Sequence, residues 1–380
     1  MLSYPAVRRS DARRISIAAL AMALLDPTAA FAEDAPEEEG QSITVTGKRV
    51  SDATIAIGTD SPTATISITR EALLSAPAGV SGLKMLESLP GFNVQANDAL
   101  GLYEFGNSVF VRAFNFQQIG FVRDGVPMGR SDQFGGSPIF RYVENENLGR
   151  VTASQGAGDV SQPSYASLGP IVQYISTGPN AELGATAQYT VGSDDFRRMF
   201  VRLDSGDING ASFFVSYSNL DADVWRGPGT IDREHIEFGG KFDLGGDNVV
   251  RIGALYNDYF DYDSPAITKA QYAGTAGDLF GRSGRYFAYL GFVPTEAQLP
   301  RLATAPTIRY SNAAYNQYFK QAINSRTDYL YNVTGDFKLS DAVGFTVTGY
   351  YEDKEGYGVS PEAYATSLAA ITPNVCAIRS

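Results

Sequence analysis

The chain has 380 residues, of which 30 are basic and 42 acidic; residues 1–32 hold four of the basic and two of the acidic ones, leaving 26 against 40, a net −14. That balance argues against a nucleic-acid partner, because phosphate contacts need clustered Lys and Arg. One cysteine, Cys376, allows no internal disulfide, and one histidine, His235, provides neither a catalytic triad nor a His cluster.

The first segment carries Arg8, Arg9, Arg13 and Arg14, then an apolar run from Ile15 to Leu25, then Ala30-Phe31-Ala32. This is the grammar of a secretory signal peptide cleaved after Ala32. The run is shorter than the roughly 20 residues of a membrane-spanning helix. Residues 33–50 begin with an acidic stretch and end in Ser42–Val50, "SITVTGKRV", which alternates like a strand but has no neighbour to pair with. It is either the first strand of the following domain or a strip that pairs with another protein's sheet edge.

Residues 51–180 have mixed periodicity. Leu73 and Leu74, then Leu83, Met85, Leu86 and Leu89, have helical spacing, with Thr69 as N-cap and Pro90-Gly91 as stop. Short strands are predicted over 107–114, 118–128, 148–156 and 169–177, with a tight turn at Asp124-Gly125.

Residues 181–380 change to period-two alternation. In "EHIEFGGKFDL", Ile236, Phe238, Phe242 and Leu244 oppose His235, Glu237, Lys241 and Asp243. Seven such segments occur between Glu182 and Gly356, most near the roughly 9–11 residues of a tilted membrane-crossing strand. Tight turns at 207–210, 245–248 and 340–343 alternate with connections at 192–197, 221–232 and 261–325. Short turns on one rim and longer loops on the other mark an outer-membrane barrel. A soluble sandwich also alternates, but its strands average nearer 5–6 residues. Seven strands cannot close such a barrel, and an open edge in lipid leaves backbone groups unpaired. Further strands are therefore expected beyond Ser380.

The order of signal peptide, lone strip, mixed domain and barrel resembles the TonB-dependent outer-membrane receptors. "SITVTGKR" is similar to that family's TonB box. "LKMLESLPGFNVQ" (83–95), "VFVRAFNFQQIGFVRDGVPM" (109–128), "ENLGRVTASQGAG" (146–158) and "YASLGPIVQYIST" (165–177) resemble successive segments of its plug domain. The resemblance implies a mixed α+β plug followed by an antiparallel transmembrane β-barrel, incomplete here at about seven of about twenty-two strands. The domains are then a signal peptide (1–32), a flexible segment with the TonB box (33–50), a plug (51–180) and a partial barrel (181–380). It implies TonB binding by Ile43, Thr44, Val45, Thr46 and Gly47. It also implies plug–barrel coupling by Arg112, with barrel carboxylate partners beyond Ser380. Ala113, Thr152 and Gln155 depart from the family pattern of Gly, Glu and Arg at those places.

No catalytic motif survives inspection. "GAGDVS" (156–161) lacks the third Gly of a dinucleotide loop, and no phosphate-binding GxxxxGK[ST] run occurs. No enzyme, cofactor or metal site is expected. Two plug loops supply candidate ligand-binding residues: Tyr103, Phe105, Arg130, Gln133, Phe134, Phe140 and Arg141. Aromatics with a few polar groups suit an amphipathic ligand, and Arg suits an anionic, oxygen-rich one. The resemblance implies energy-dependent uptake across the outer membrane, with TonB, membrane lipid and a small ligand such as a ferric siderophore as partners. A non-transporting surface binding or adhesion protein, and a receptor for an oligosaccharide, are the alternatives.

Overall fold

The computed structural model describes residues 65–104, 106–128, 139–156, 168–263 and 318–359. Between the last two it describes 267–275, 278, 280–287, 291 and the backbone of two short strands. All of these belong to the unit Val50–Ser380. The predicted signal peptide, the strip 42–50, Phe105, Arg130, Gln133, Phe134 and Cys376 lie outside the described residues.

Strand β1 (Thr65–Thr69) leads directly into helix α1 (Arg70–Ser75), whose N-cap is Thr69: its hydroxyl accepts the Ala72 N–H at 3.3 Å. The next apolar segment was expected to be α-helical, but Lys84–Ser88 is a 3-10 helix. The buried residues Leu83, Leu86 and Leu89 recur at three, the period of the tighter helix, and Pro90 prevents a longer one.

Strands β2 (Phe92–Gln95), β3 (Ser108–Val111) and β4 (Phe114–Asn115) form a small antiparallel sheet. The turn from β3 to β4 places Arg112 at φ 53°, whereas Ala113 stays at negative φ, so the missing Gly costs nothing there. Strands β5 (Gly120–Arg123) and β6 (Val126–Met128) are joined by Asp124 and Gly125 at φ 48° and 81°, the two left-handed residues of a type I′ turn. The short helix α2 (Ile139–Tyr142) then leads to β7 (Leu148–Ser154) and β8 (Ile171–Ser176). The second sheet has order β1-β7-β8-β5-β6, with β5 and β8 parallel. Ile68, Leu83, Leu86, Val109, Val151 and Tyr174 are among its core.

Seven further strands follow: β9 (Leu183–Val191), β10 (Arg197–Ser205), β11 (Ala211–Asp223), β12 (Thr230–Gly245), β13 (Asn248–Tyr262), β16 (Ile323–Ser340) and β17 (Val343–Val359). A two-stranded hairpin, β14 (Arg301–Leu302) and β15 (Ala305–Arg309), sits in the connection between β13 and β16. The seven pair antiparallel in chain order into one open sheet.

The register sorts the side chains by face. One continuous row reads Leu203–Val215–Phe238–Ala254–Tyr331–Tyr351 and points away from the first domain. A row three residues along each strand reads Phe200–Ser218–His235–Asn257–Asp328–Lys354 and faces that domain. The sheet is therefore apolar outside and polar inside, the reverse of a water-soluble sheet. Leu183, Val191, Val333, Leu339 and Val347 are all more than half exposed on the outer side.

Candidate functional site

The polar inner face meets the first domain through buried ion pairs. Helix α2 presents Arg141, only 2 % exposed, which pairs with Glu104 of its own domain and, at 2.6 Å through Nε, with Asp328 of β16. Asn324 donates to the other Glu104 oxygen at 3.3 Å. One turn on, Glu144 accepts from Arg198 of β10 (2.6 Å), Arg233 of β12 (2.7 Å) and Ser218 of β11 (2.8 Å). Burial pushes the Glu144 carboxyl up, but Arg233 and Arg198 outweigh it and hold it well below the usual carboxylate range. Arg233 also donates to the carbonyls of Arg141 and Val143, at 3.1 and 3.3 Å.

Nearer the short-turn rim, Arg123 pairs with Glu237, which also accepts from Asn147 at 2.9 Å. Arg202 lies 3.8 Å over the Phe214 ring, pairs with Asp204 and donates to the Gly178 carbonyl at 2.5 Å. Asp204 in turn accepts the Asn180 N–H at 2.8 Å, fixing the passage from one domain to the other. Asp328→Asn is expected to cost about 1.5–3 kcal/mol, the worth of a hydrogen bond to a charged partner. Arg141 keeps Glu104 in that variant, and the shift in the unfolding midpoint of the reconstituted protein checks the value.

At the long-loop rim a cavity of about 390 Å³ opens between the two parts, lined by Asp98, Leu102, Tyr103, Phe196, Trp225 and Arg226 among others. The loop on the first domain's side is held rigid. Asp98 accepts the N–H groups of Leu100 (2.9 Å), Leu102 (3.0 Å) and Tyr103 (3.2 Å), and Asn107 donates to the carbonyls of Gly101 and Tyr103. Across it, Arg285 lies 5.2 Å over Trp225 and 3.6 Å from Asp194. A second cavity, about 660 Å³, lies toward the short-turn rim beside Asp124, Gly125, Gly253, Thr334, Thr346 and Thr348.

Of the residues singled out by sequence, Tyr103 lines the long-loop cavity. Phe140 and Arg141, expected among the ligand-binding residues, do not line it. Phe140 packs edge-on against Tyr259 at 5.5 Å, and Arg141 is consumed by two carboxylates. Arg112 is exposed and donates to Gln155 of its own domain at 3.4 Å, so it does not reach the wall. Wall carboxylates, expected beyond Ser380, are present as Glu237 of β12 and Asp328 of β16, but they pair with Arg123 and Arg141; the wall arginines Arg198 and Arg233 serve Glu144 and Glu146. Alternation could have found them: Arg198, Arg202, Arg233, Glu237 and Asp328 all occupy inward positions of their strands.

Residues 58–169 match the family model described as TonB-dependent receptor plug domain. Over these residues the chain carries a TonB-dependent receptor plug domain. No curated protein sequence matches it. The fold of plug plus wall is similar to that of the siderophore receptor PiuA from Acinetobacter baumannii, with TM-score 0.54, 13% identity, and 78% of this chain and 37% of that one covered. It is also similar to the ferric-catecholate import receptor Fiu from E. coli K12 in its open form (TM-score 0.54, 15% identity, 80% and 39% covered). The unliganded ferric citrate transporter FecA gives TM-score 0.56, 15% identity, and 78% and 40% covered. This chain thus spans about two fifths of the length of these structures. The plug is seated against an incomplete barrel wall of seven strands.

Proposed function

We propose that the protein is an outer-membrane receptor for energy-dependent uptake of a scarce ligand, an iron–siderophore complex being the favoured class. The observation that carries this is the seating of the plug: a folded domain held by reversible ion pairs against the polar face of a sheet whose other face is apolar. A passive pore has no use for such a stopper, whereas a gated transporter needs one that is firmly held and can be released. Residues 1–32 direct export, the acidic segment keeps 42–50 solvated, and Ile43–Gly47 add as a strand to TonB. Force from the inner membrane supplies the energy that the outer membrane lacks. The cavity at the long-loop rim faces outward and receives the ligand, with Tyr103 from the plug and Trp225 from the wall.

The similar structures named above are a siderophore receptor, a ferric-catecholate import receptor and a ferric citrate transporter, which supports that ligand class. An oligosaccharide is the second reading, favoured by the Tyr103 and Trp225 rings, on which sugars stack. Regulation and uptake separate the two. Expression is expected to rise under iron starvation, and cells are expected to accumulate labelled ferric chelate through this protein. Induction by carbohydrate, with no iron-chelate uptake under any condition, would move the assignment to the second reading.

The lipid-facing assignment of the outer side has its own test. Val333→Arg places a cation near the middle of that face and is expected to cost about 2–4 kcal/mol in bilayers. Urea unfolding in lipid vesicles measures it. A cost within a few tenths of a kcal/mol would mean the face is not in hydrocarbon.

A further inference from the structure

Tyr259 of β13 joins the wall to the loop that lines the outward cavity. Its ring is fully buried and its hydroxyl oxygen has three polar neighbours. The Glu104 N–H donates to it at 3.2 Å, the Leu102 carbonyl lies at 2.9 Å, and Asp261 Oδ2 lies at 2.7 Å. A phenol has one hydrogen to give. It can satisfy the plug carbonyl or the wall carboxylate, but not both. In its ionised form Asp261, fully buried and with no hydrogen-bond partner for its other oxygen among the described residues, competes for that hydrogen.

The plug side is built to transmit a push. Asp98 and Asn107 both bond the backbone up to Tyr103, so displacement at Tyr103 is passed to Glu104, its neighbour in the chain. Glu104 holds Arg141, which holds Asp328 of the wall.

We propose that Tyr259 is a positioning switch between ligand site and plug seat. With the outward cavity empty, its hydrogen holds Leu102; with the cavity filled, the loop moves off and the hydrogen passes to Asp261. The number of hydrogen bonds made by Tyr259 as donor is unchanged, which makes release inexpensive. Glu104 then carries the displacement to Arg141 and loosens the contact with Asp328. This rests on the reading of the cavity as the ligand site.

The test fills the cavity without knowing the ligand. In the full-length receptor with Cys376→Ser, Ala99→Cys on the exposed cavity wall is modified with N-benzylmaleimide. Amide hydrogen exchange is then followed over 98–107 and 139–147. The adduct should speed exchange in both segments by about two- to tenfold, as for loss of one net hydrogen bond. Tyr259→Phe keeps the ring against Phe140 and should speed exchange over 98–107 without the adduct, which then adds nothing further. Asp261→Leu removes the competing acceptor, and Asp261→Asn, the milder change, weakens it to a neutral amide oxygen. Either should slow exchange over 98–107 and blunt the effect of the adduct. A purely structural role predicts that Tyr259 and Asp261 variants loosen the loop alike. That result, or an adduct effect that is absent in the parent or unchanged in Tyr259→Phe, overturns the proposal. The readout is exchange in purified protein, so an uptake assay that fails would count against the receptor function and not against the switch.

Discussion

Glu144→Ala is expected to unseat the plug at a cost of about 3–5 kcal/mol, the range for removing one partner of a buried ion pair. Three wall residues converge on this carboxylate: Arg198, Arg233 and Ser218. Arg198 retains Glu146 at 2.6 Å when Glu144 is lost. Arg233 retains Asn257, His235 and two backbone carbonyls, none of them a carboxylate. The penalty therefore falls mainly on Arg233, left as a buried cation without a carboxylate. Glu146→Ala leaves Arg198 paired with Glu144 at 2.6 Å and should therefore cost less than Glu144→Ala. Denaturant unfolding of the reconstituted protein, with exchange at 139–147 as the local probe, measures both.

The pH dependence of that difference is also fixed. The folded-state Glu144 carboxyl titrates below its unfolded counterpart, which lies near 4.3. Its contribution is complete above the unfolded value and is lost as pH falls through the folded one. The stability gap between the parent and Glu144→Gln should accordingly be level from about pH 8 to pH 5 and close only in strong acid. A gap that closes near neutrality would mean that Glu144 is not held by its two arginines.

The architecture was legible because two periodicities change at one place. Alternation from Leu183 onward located all seven wall strands, and the turn residues Asp124-Gly125 and Gly245-Gly246-Asp247 adopt the left-handed backbone their types suggest. Which face met what was also legible, since His235 and Glu237 share the polar side of β12 and both face the plug. The 3-10 geometry at 84–88 was missed because apolar spacings of three and of four both read as helix until packing selects one. The site was less legible. Phe140 and Arg141 have the composition of ligand-binding residues, and nothing local shows that a wall residue nearly 190 positions later, Asp328, lies against Arg141. Ion pairs across a seam depend on long-range register, and a single sequence shows only which residues are eligible. Arg112 was assigned by resemblance, but its turn points it at Gln155, where the family pattern itself departs.

The central claim is that a seated plug is pulled from the periplasmic side through the strip at 42–47. The direct measurement compares surface binding and energised uptake of a labelled ferric chelate in cells carrying the full-length gene, with and without residues 42–47. Binding at parental affinity with uptake reduced to the level of a strain lacking the gene is the predicted result. Uptake at the parental rate after the deletion would contradict the account.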